Sequence, residues 1–523
     1  MTINELITEI EKGKIGIPKG IQRGFVWKSN RVLKLLDSIY KNYPIGIIVL
    51  WKISESELSA EISTSIIKTD SSTIPEYLVV DGLQRLISFV LISKGSAKVI
   101  DIGGEYREKR INLYFNPERE EFSLRKYGDK WLKVPEILAR PDELVDKISD
   151  KKLLRKVLRN FNELLSRSVP VYELKGDTSL DNIVEIFDRI NSTGVKVTIA
   201  QLITAYIYVV DPELNRAILK YLQNLGERGW KLNITTLIKI FSYRITGSAF
   251  VNSLKEHIIE NKGNIEKLCE KLEKEWKKTE KALTDALDLI KSELGISKSK
   301  YLPSETSLTS LAIALSYMDD YGILRTEDIN RQLSLWFLLT SWFGRYTGAT
   351  EAKIKDDMDS FRRVLEESRN VTKAAAALTE NLRKVYGNIE ITPDKFSKDN
   401  KYNRALLYFA LRESDARDFF KGIKIEVLSI DNVHHIFPRS MLRKKKDYRD
   451  DIANITILAE ETNRKIGNRK PECYLKEVSK EILEKHFIPL DEGLWNIENY
   501  RAFLEERRKM IIDFINERIR KFF

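Results

Sequence analysis

Apolar positions recur along the chain at two spacings, one helical and one strand-like, and each predicts an element. Ile3, Leu6 and Ile7 share one side of a short opening helix. Val32, Leu35, Leu36 and Ile39 mark an amphipathic helix over RVLKLLDSIYKNYP, which Pro44 stops. IGIIVLW is a nearly continuous apolar run and predicts a strand buried on both faces. A second strand, EYLVVDG, leads at once into a helix, LQRLISFVLIS. KVIDIGG and KRINLYF predict a hairpin. The charged stretch that follows, to about residue 168, predicts helix, and PVYEL predicts a strand before helix LDNIVEIFDRI. From Ile199 to about Tyr386 the pattern is helical almost throughout. Within it Ile265, Leu268, Leu272, Trp276, Leu283, Leu287, Ile290 and Leu294 form one apolar stripe, predicting a single long helix with a Lys/Glu-rich outer face. Trp336, Phe337, Trp342 and Phe343 are core candidates. YNRALLYFALRES predicts a helix, EVLSI a strand, and the tail from Tyr500 an amphipathic helix with a basic open face.

Composition narrows the class. A chain of 523 residues is too long for one hydrophobic core, and we divide it into segments 1–198, 199–400 and 401–523. Its 42% hydrophobic and 32% charged content is that of a folded chain rather than a disordered one. The formal net charge of +11 favours anionic partners. Cys269 and Cys473 are the only two cysteines and lie far apart, so neither a disulfide framework nor a paired-cysteine zinc site can form; a reducing cytoplasm fits. The N-terminus lacks a basic region followed by an apolar run, and LITAYIYVV and LWFLLTSWF are too short to span a bilayer. A cytoplasmic protein without membrane contact is therefore expected. Apolar helical faces leave a homo-oligomer open.

Chemistry concentrates between Ile430 and Pro471. Two of the chain's four histidines, His434 and His435, sit side by side in VHHIFP. Neighbours on a strand point to opposite faces, so one imidazole can hold the fold or a metal while the other serves as a base near neutrality. Asn454 opens the apolar run NITIL, and Asn463 in TNRKIGN offers a carboxamide oxygen suited to a hard divalent cation. Between the histidines and Asn454 lie Arg439, Arg443, Lys444, Lys445, Lys446 and Arg449, the footprint of phosphate-backbone contact. The same residues also suit a structural histidine pair beside a solvated basic loop, and spacing alone leaves both readings open. His257 and His486 have no ligand companions and are read as non-catalytic.

A second concentration lies near the N-terminus. Asp81 and Gly82 end a strand where a helix begins, presenting unpaired N–H groups to an anion, with Gln84 and Arg85 in the first turn. Gln22 and Arg23 form a similar pair before an earlier helix. The two pairs either converge on one phosphate group or are two exposed polar turns. Asn191 and Gly194 fit a helix C-terminal turn.

Both concentrations resemble one known family, the GmrSD-type modification-dependent restriction enzymes. VHHIFP, ANITIL and TNRKIGN are similar, in order, to the three parts of a ββα-metal (HNH) nuclease motif. The resemblance implies His435 as general base, Asn454 as the residue orienting it, and His434 and Asn463 as ligands of Mg²⁺ or Mn²⁺. Lys465 is implied as a phosphate contact. IPKGIQRGFVW and VVDGLQR resemble the two signature elements of the family's ParB/sulfiredoxin-like N-terminal domain, which binds or hydrolyses nucleoside triphosphate. Gln22, Arg23, Asp81, Gly82, Gln84 and Arg85 would then line the nucleotide pocket. FDRINSTG resembles a third element and adds Arg189 and Asn191. The chain reads Leu83 where the family's pattern has a glutamine, and the P-loop pattern is absent. The implied fold class is multidomain α+β: a ParB/sulfiredoxin-like domain, a helical middle for coupling or target sensing, and an HNH-like module with a helical tail. The implied activity is nucleotide-regulated, metal-dependent cleavage of foreign, modified double-stranded DNA. Three rival readings are a non-cleaving NTP-responsive DNA-binding protein, a metal-dependent RNase or toxin, and an NTPase with an accessory nuclease module.

Overall fold

The computed structural model describes residues 1–18, 24–53, 63–69, 74–100, 106–175, 186, 199–442 and 450–523. The chain divides into two compact units, Met1–Leu219 and Lys220–Phe523.

The first unit is mixed α/β. Its described strands β1 (Ile15–Pro18), β2 (Ile48–Lys52), β3 (Ser63–Ser65), β4 (Tyr77–Asp81) and β10 (Val171–Leu174) form a sheet ordered β10-β2-β4-β1-β3. β10 runs parallel to β2 and β4 parallel to β1, while β2–β4 and β1–β3 are antiparallel. Helices α1 (Ile3–Glu11), α2 (Ser29–Tyr40) and α3 (Leu83–Lys94) contribute their apolar stripes to the core, Val32, Leu36 and Ile39 of α2 among them. Burying each such side chain stabilises the unit by about 2 kcal/mol relative to leaving it in water. β5 (Ser96–Ile100) and β6 (Tyr106–Arg110) form the expected hairpin, with its second strand earlier than KRINLYF suggests.

Two expectations are corrected in this unit. The apolar run IGIIVLW becomes a strand only from Ile48; Ile47 is 54% exposed. The stretch after the hairpin is not simply helix. β7 (Tyr114–Asn116), β8 (Glu121–Ser123) and β9 (Leu132–Lys133) build a small antiparallel sheet before α4 (Val134–Ala139) and α5 (Lys151–Leu164). Tyr40, Phe115, Phe122 and Phe161 cluster with ring centroids 4.9–6.4 Å apart, tying this small sheet to α2 and α5. After β10 the next described helices are α6 (Ile199–Val210) and α7 (Pro212–Glu227).

The second unit is helical for most of its length: α8 (Ile234–Thr246), α9 (Val251–Glu260), α10 (Ile265–Leu294), α11 (Glu305–Asp320), α12 (Glu327–Phe343), α13 (Thr350–Ser368) and α14 (Val371–Tyr386). The stripe predicted over 265–294 is one uninterrupted helix, and Thr279, where the apolar pattern breaks, bonds back to the Glu275 carbonyl. Trp336 and Phe337 are fully buried, Trp342 and Phe343 half-buried. A buried carboxylate, Asp357, accepts from Arg345, Tyr346 and Asn381 and so joins α12, α13 and α14. Such a group is tolerated inside because every partner is present.

The C-terminal end adds α15 (Lys401–Glu413), then a two-stranded hairpin of β11 (Val433–His435) and β12 (Ile455–Ile457). It closes with α16 (Glu460–Ile466), α17 (Pro471–Tyr474), α18 (Lys480–Lys485) and α19 (Tyr500–Phe522). EVLSI is not a strand but a 3₁₀ turn, Ile425–Val427, held by the Tyr408 hydroxyl near the carbonyls of Ile425 and Leu428. Phe437 packs between Tyr500 and Phe503 of α19, with centroids 4.9 and 5.0 Å away, at the centre of this module's core. Among the described residues no helix is long and apolar enough to cross a membrane.

Candidate functional site

β11 is three residues long, and its alternation separates the two histidines. His434 points inward at 2% exposure, while Val433 and His435 lie on the half-exposed face. His434 Nδ1 is 2.7 Å from Asn463 Oδ1 and its Nε2 is 3.2 Å from the Tyr474 hydroxyl, which donates to the Ile436 carbonyl. Asn463 Nδ2 donates to the Val433 carbonyl, so its oxygen is the atom facing the imidazole. Burial pushes the His434 pKa down to about 4, keeping the ring neutral.

Asn463 is brought there by a helix of only seven residues, too short to be stable alone. Asp418 fixes its start. The buried carboxylate accepts from the Ala459 N–H at 2.8 Å and the Thr462 hydroxyl at 2.6 Å. Asn454, fully buried, works on the backbone after His435. Its side chain accepts from the Phe437 N–H at 2.8 Å and donates to the Phe437 carbonyl at 3.0 Å, and its own carbonyl accepts from Ile436. Asn454 thereby ties the backbone just after β11 to the start of β12.

Unlike His434, Asn454 and Asn463, His435 has a ring nitrogen, Nε2, that is buried and without a hydrogen-bond partner. Two Arg–Asp pairs flank it. Arg404 makes two bonds to Asp399, with its guanidinium carbon 5.7 Å from the centre of the Tyr301 ring. Arg439 donates to Asp450 at 2.8 Å. The Asp399 N–H bonds the Asp450 carbonyl, and Ile452 N–H bonds the Ser397 carbonyl, zipping the approach to α15 onto the approach to β12. Burial, and after it the Arg439 charge, hold the His435 pKa below the ordinary histidine value.

The hairpin therefore assembles His434, His435, Asn454 and Asn463, with Arg439 at its rim. Lys465 sits on α16 with its ammonium 4.3 Å from the centre of the Phe420 ring. Lys444, Lys445 and Lys446 lie outside the described residues. Arg404, Asp418 and Tyr474 carry no local motif and were not singled out. Among the described residues no group of three or more His, Cys, Asp or Glu side chains gathers as a metal cluster.

At the N-terminal corner, Gly82 caps α3 with φ +101, a conformation that favours glycine, and an added Cβ would meet Ile48 Cδ1 at 2.3 Å. Gln84 is used as a staple: Oε1 accepts from the N–H groups of Val26 and Trp27, and Nε2 donates to the Gly24 carbonyl. Arg85 spans from Asp81 at 2.8 Å to the Ile45 carbonyl at 2.8 Å. Gly46 makes room for it, since a Cβ there would come within 2.4 Å of Arg85 NH1. Phe25 and Trp27 pack against this unit's core. Gln22, Arg23, Arg189 and Asn191 lie outside the described residues.

Comparison with known proteins bears on both ends. The model described as "GmrSD restriction endonuclease, N-terminal domain" matches residues 3–208. The one described as "GmrSD restriction endonucleases, C-terminal domain" matches residues 356–513. An uncharacterized protein of Methanocaldococcus jannaschii is 23% identical, and the alignment takes in 98% of each chain. With both domains joined in one polypeptide, the chain belongs to the GmrSD-type restriction endonucleases, enzymes that cut modified DNA.

Proposed function

We propose that this endonuclease is nucleotide-regulated and divalent-metal-dependent, that it acts on foreign, modified double-stranded DNA, and that His435 is its general base. The observation that carries the reading is the unpartnered, buried Nε2 of His435 on the opposite strand face from the engaged His434. An unpaired buried nitrogen costs about 1–3 kcal/mol, which a water or substrate hydrogen bond would recover. The depressed pKa leaves the ring neutral at pH 7 and able to accept a proton from water. Arg404 and Arg439, each already oriented by an aspartate, hold the phosphate backbone beside it; Lys465 and Lys444–Lys446 extend that contact.

The donor chemistry fits a divalent cation. The Tyr474 hydroxyl gives its proton to Ile436, so it can accept from His434 Nε2. With the proton on Nε2, His434 Nδ1 and Asn463 Oδ1, 2.7 Å apart, would both turn lone pairs to a cation as the positive centre between them. In the metal-free tautomer that centre is the Nδ1 proton. His434 and Asn463 would hold Mg²⁺ or Mn²⁺ in its place, with Tyr474 fixing the imidazole from behind. The ion would supply charge stabilisation to the phosphate and the leaving oxygen.

In the N-terminal domain, which we read as ParB/sulfiredoxin-like, Asp81, Gly82 and Arg85 at the start of α3 receive the nucleoside triphosphate with Gln22, Arg23, Arg189 and Asn191. Gln84 shapes that pocket by holding residues 24–27. The segment between the two ends couples nucleotide state to cutting. The module from about residue 401 we read as ββα-metal.

The test is a nicking assay with Mg²⁺ or Mn²⁺ on plain, methylated, glucosylated and phosphorothioated DNA, with RNA alongside. His435→Ala is expected to abolish cutting and leave DNA affinity within about twofold, removing a general base being worth about 10²–10⁴ in rate. Cutting slowed by less than about tenfold would end the base assignment.

A further inference from the structure

Arg507 lies on the buried stripe of α19 and is fully buried. Its neighbours on that stripe are Phe503, Leu504, Ile511, Ile512 and Ile515, any of which would pack there without a charge. An arginine buried without a carboxylate on it is costly to desolvate. Among the described residues none sits on this one: the guanidinium's hydrogen bonds there go to main-chain carbonyls, and burial draws its pKa down to about 9. The nearby acid, Asp451, is paired with Arg508 instead.

The targets of those bonds are specific. NH1 donates to the Ala453 carbonyl at 2.6 Å and to the Ile455 carbonyl at 2.8 Å, the residues immediately before and after Asn454. Nε and NH2 both donate to the His486 carbonyl, at 3.3 and 3.1 Å. The His486 ring in turn bonds Thr456 on β12 at 2.6 Å and the Arg417 carbonyl at 2.8 Å. Arg507 thus grips the backbone on both sides of the asparagine whose side chain clamps Phe437, two residues beyond His435.

We infer that Arg507 is a positioning residue of the nuclease site: its planar fork fixes the peptide units around Asn454, and through Asn454 the exit of the strand that aims His435. Lysine cannot replace it, because a single ammonium does not present a rigid fork to three carbonyls at once. The inference rests on the reading of His435 as the base, and it assigns to the C-terminal helix a task that a merely hydrophobic strut would not perform.

The experiment compares Arg507→Lys, which keeps charge, and Arg507→Met, which keeps volume, with wild type in the full-length protein. Nicking is measured with Mn²⁺ on whichever of plain, methylated, glucosylated or phosphorothioated DNA the wild type cuts fastest. Hydrogen exchange at the Ile436 and Phe437 amides is followed in parallel. The expected result for Arg507→Lys is about a hundredfold loss of kcat with KM within threefold. The two amides should exchange at least tenfold faster while those in the body of α19 do not change. In an Asn454→Ala background the same substitution should cost less than a further threefold, since the path it acts through is already cut. Unchanged kcat and exchange in a folded Arg507→Lys protein would overturn the inference. So would losses that multiply with Asn454→Ala, or a fall in kcat that tracks only a fall in the folded fraction. If His435→Ala slows cutting by less than about tenfold, the base assignment fails instead, and the exchange rates continue to report on Arg507 by themselves.

Discussion

The corner at Asp81–Arg85 and the hairpin at His434–His435 both bring motif residues together, yet they use them in opposite ways. At the corner Gln84 spends its head group on this chain's own backbone at residues 24–27, and Arg85 divides its own between the Ile45 carbonyl and the Asp81 carboxylate. At the hairpin the backbone is secured by other residues, Asn454 and Asp418 among them, and one imidazole nitrogen is left unpaired. A signature residue can therefore be a staple, and under the proposed function the unpaired nitrogen of His435 is the atom left for chemistry.

The sharpest way to break this contrast is to remove one residue from each side. His435→Ala should cost about 10³-fold in nicking rate and lower the melting temperature by less than Gln84→Ala does, because its Nε2 has no partner to lose. Gln84→Ala should do the reverse to its own unit: losing three part-buried hydrogen bonds should cost about 2 kcal/mol, a drop of roughly 4–8 °C by calorimetry. A Gln84→Ala protein that melts normally but binds nucleotide poorly would make Gln84 a direct ligand and erase the distinction.

A smaller effect should appear with pH. Burial lowers the His486 pKa to about 3, so the folded form keeps the ring neutral while the unfolded chain takes up a proton near 6.5. Stability from this group is complete above pH 6.5 and is lost as pH falls towards 3. His486→Gln should flatten that slope in melting temperature against pH; an unaltered slope would place the acid sensitivity elsewhere. The smallest expected effect is at Arg439, whose charge helps depress the His435 pKa. Arg439→Gln should move the acid limb of the nicking profile to higher pH. A shift towards lower pH would contradict the placement of that guanidinium beside the base.

Much of this layout was legible in the sequence, for physical reasons that differ by element. The stripe from Ile265 to Leu294 repeats often enough for 3.6-residue periodicity to stand out, and EYLVVDG followed by LQR announces a strand meeting a helix. The strands at 114–116, 121–123 and 132–133 have no period to detect, being two or three residues each. EVLSI alternates like a strand, but Val427 is 74% exposed and the local carbonyls turn to the Tyr408 hydroxyl. In the candidate site the residues carried by contiguous motifs were visible, whereas Asp418, Tyr474 and Arg404 reach it from outside those motifs. Arg507 did leave a signal: a charge at the buried spacing of Phe503, Leu504, Ile511 and Ile515.

The zip of residues 397–399 onto 450–452 has a consequence for dissection. Excising the C-terminal module at residue 401 would leave Ile452 without its backbone acceptor and Arg404 without its aspartate, opening the wall beside His435. This module is not a cassette that begins where its own helix begins; its inheritance includes the few residues upstream that close it.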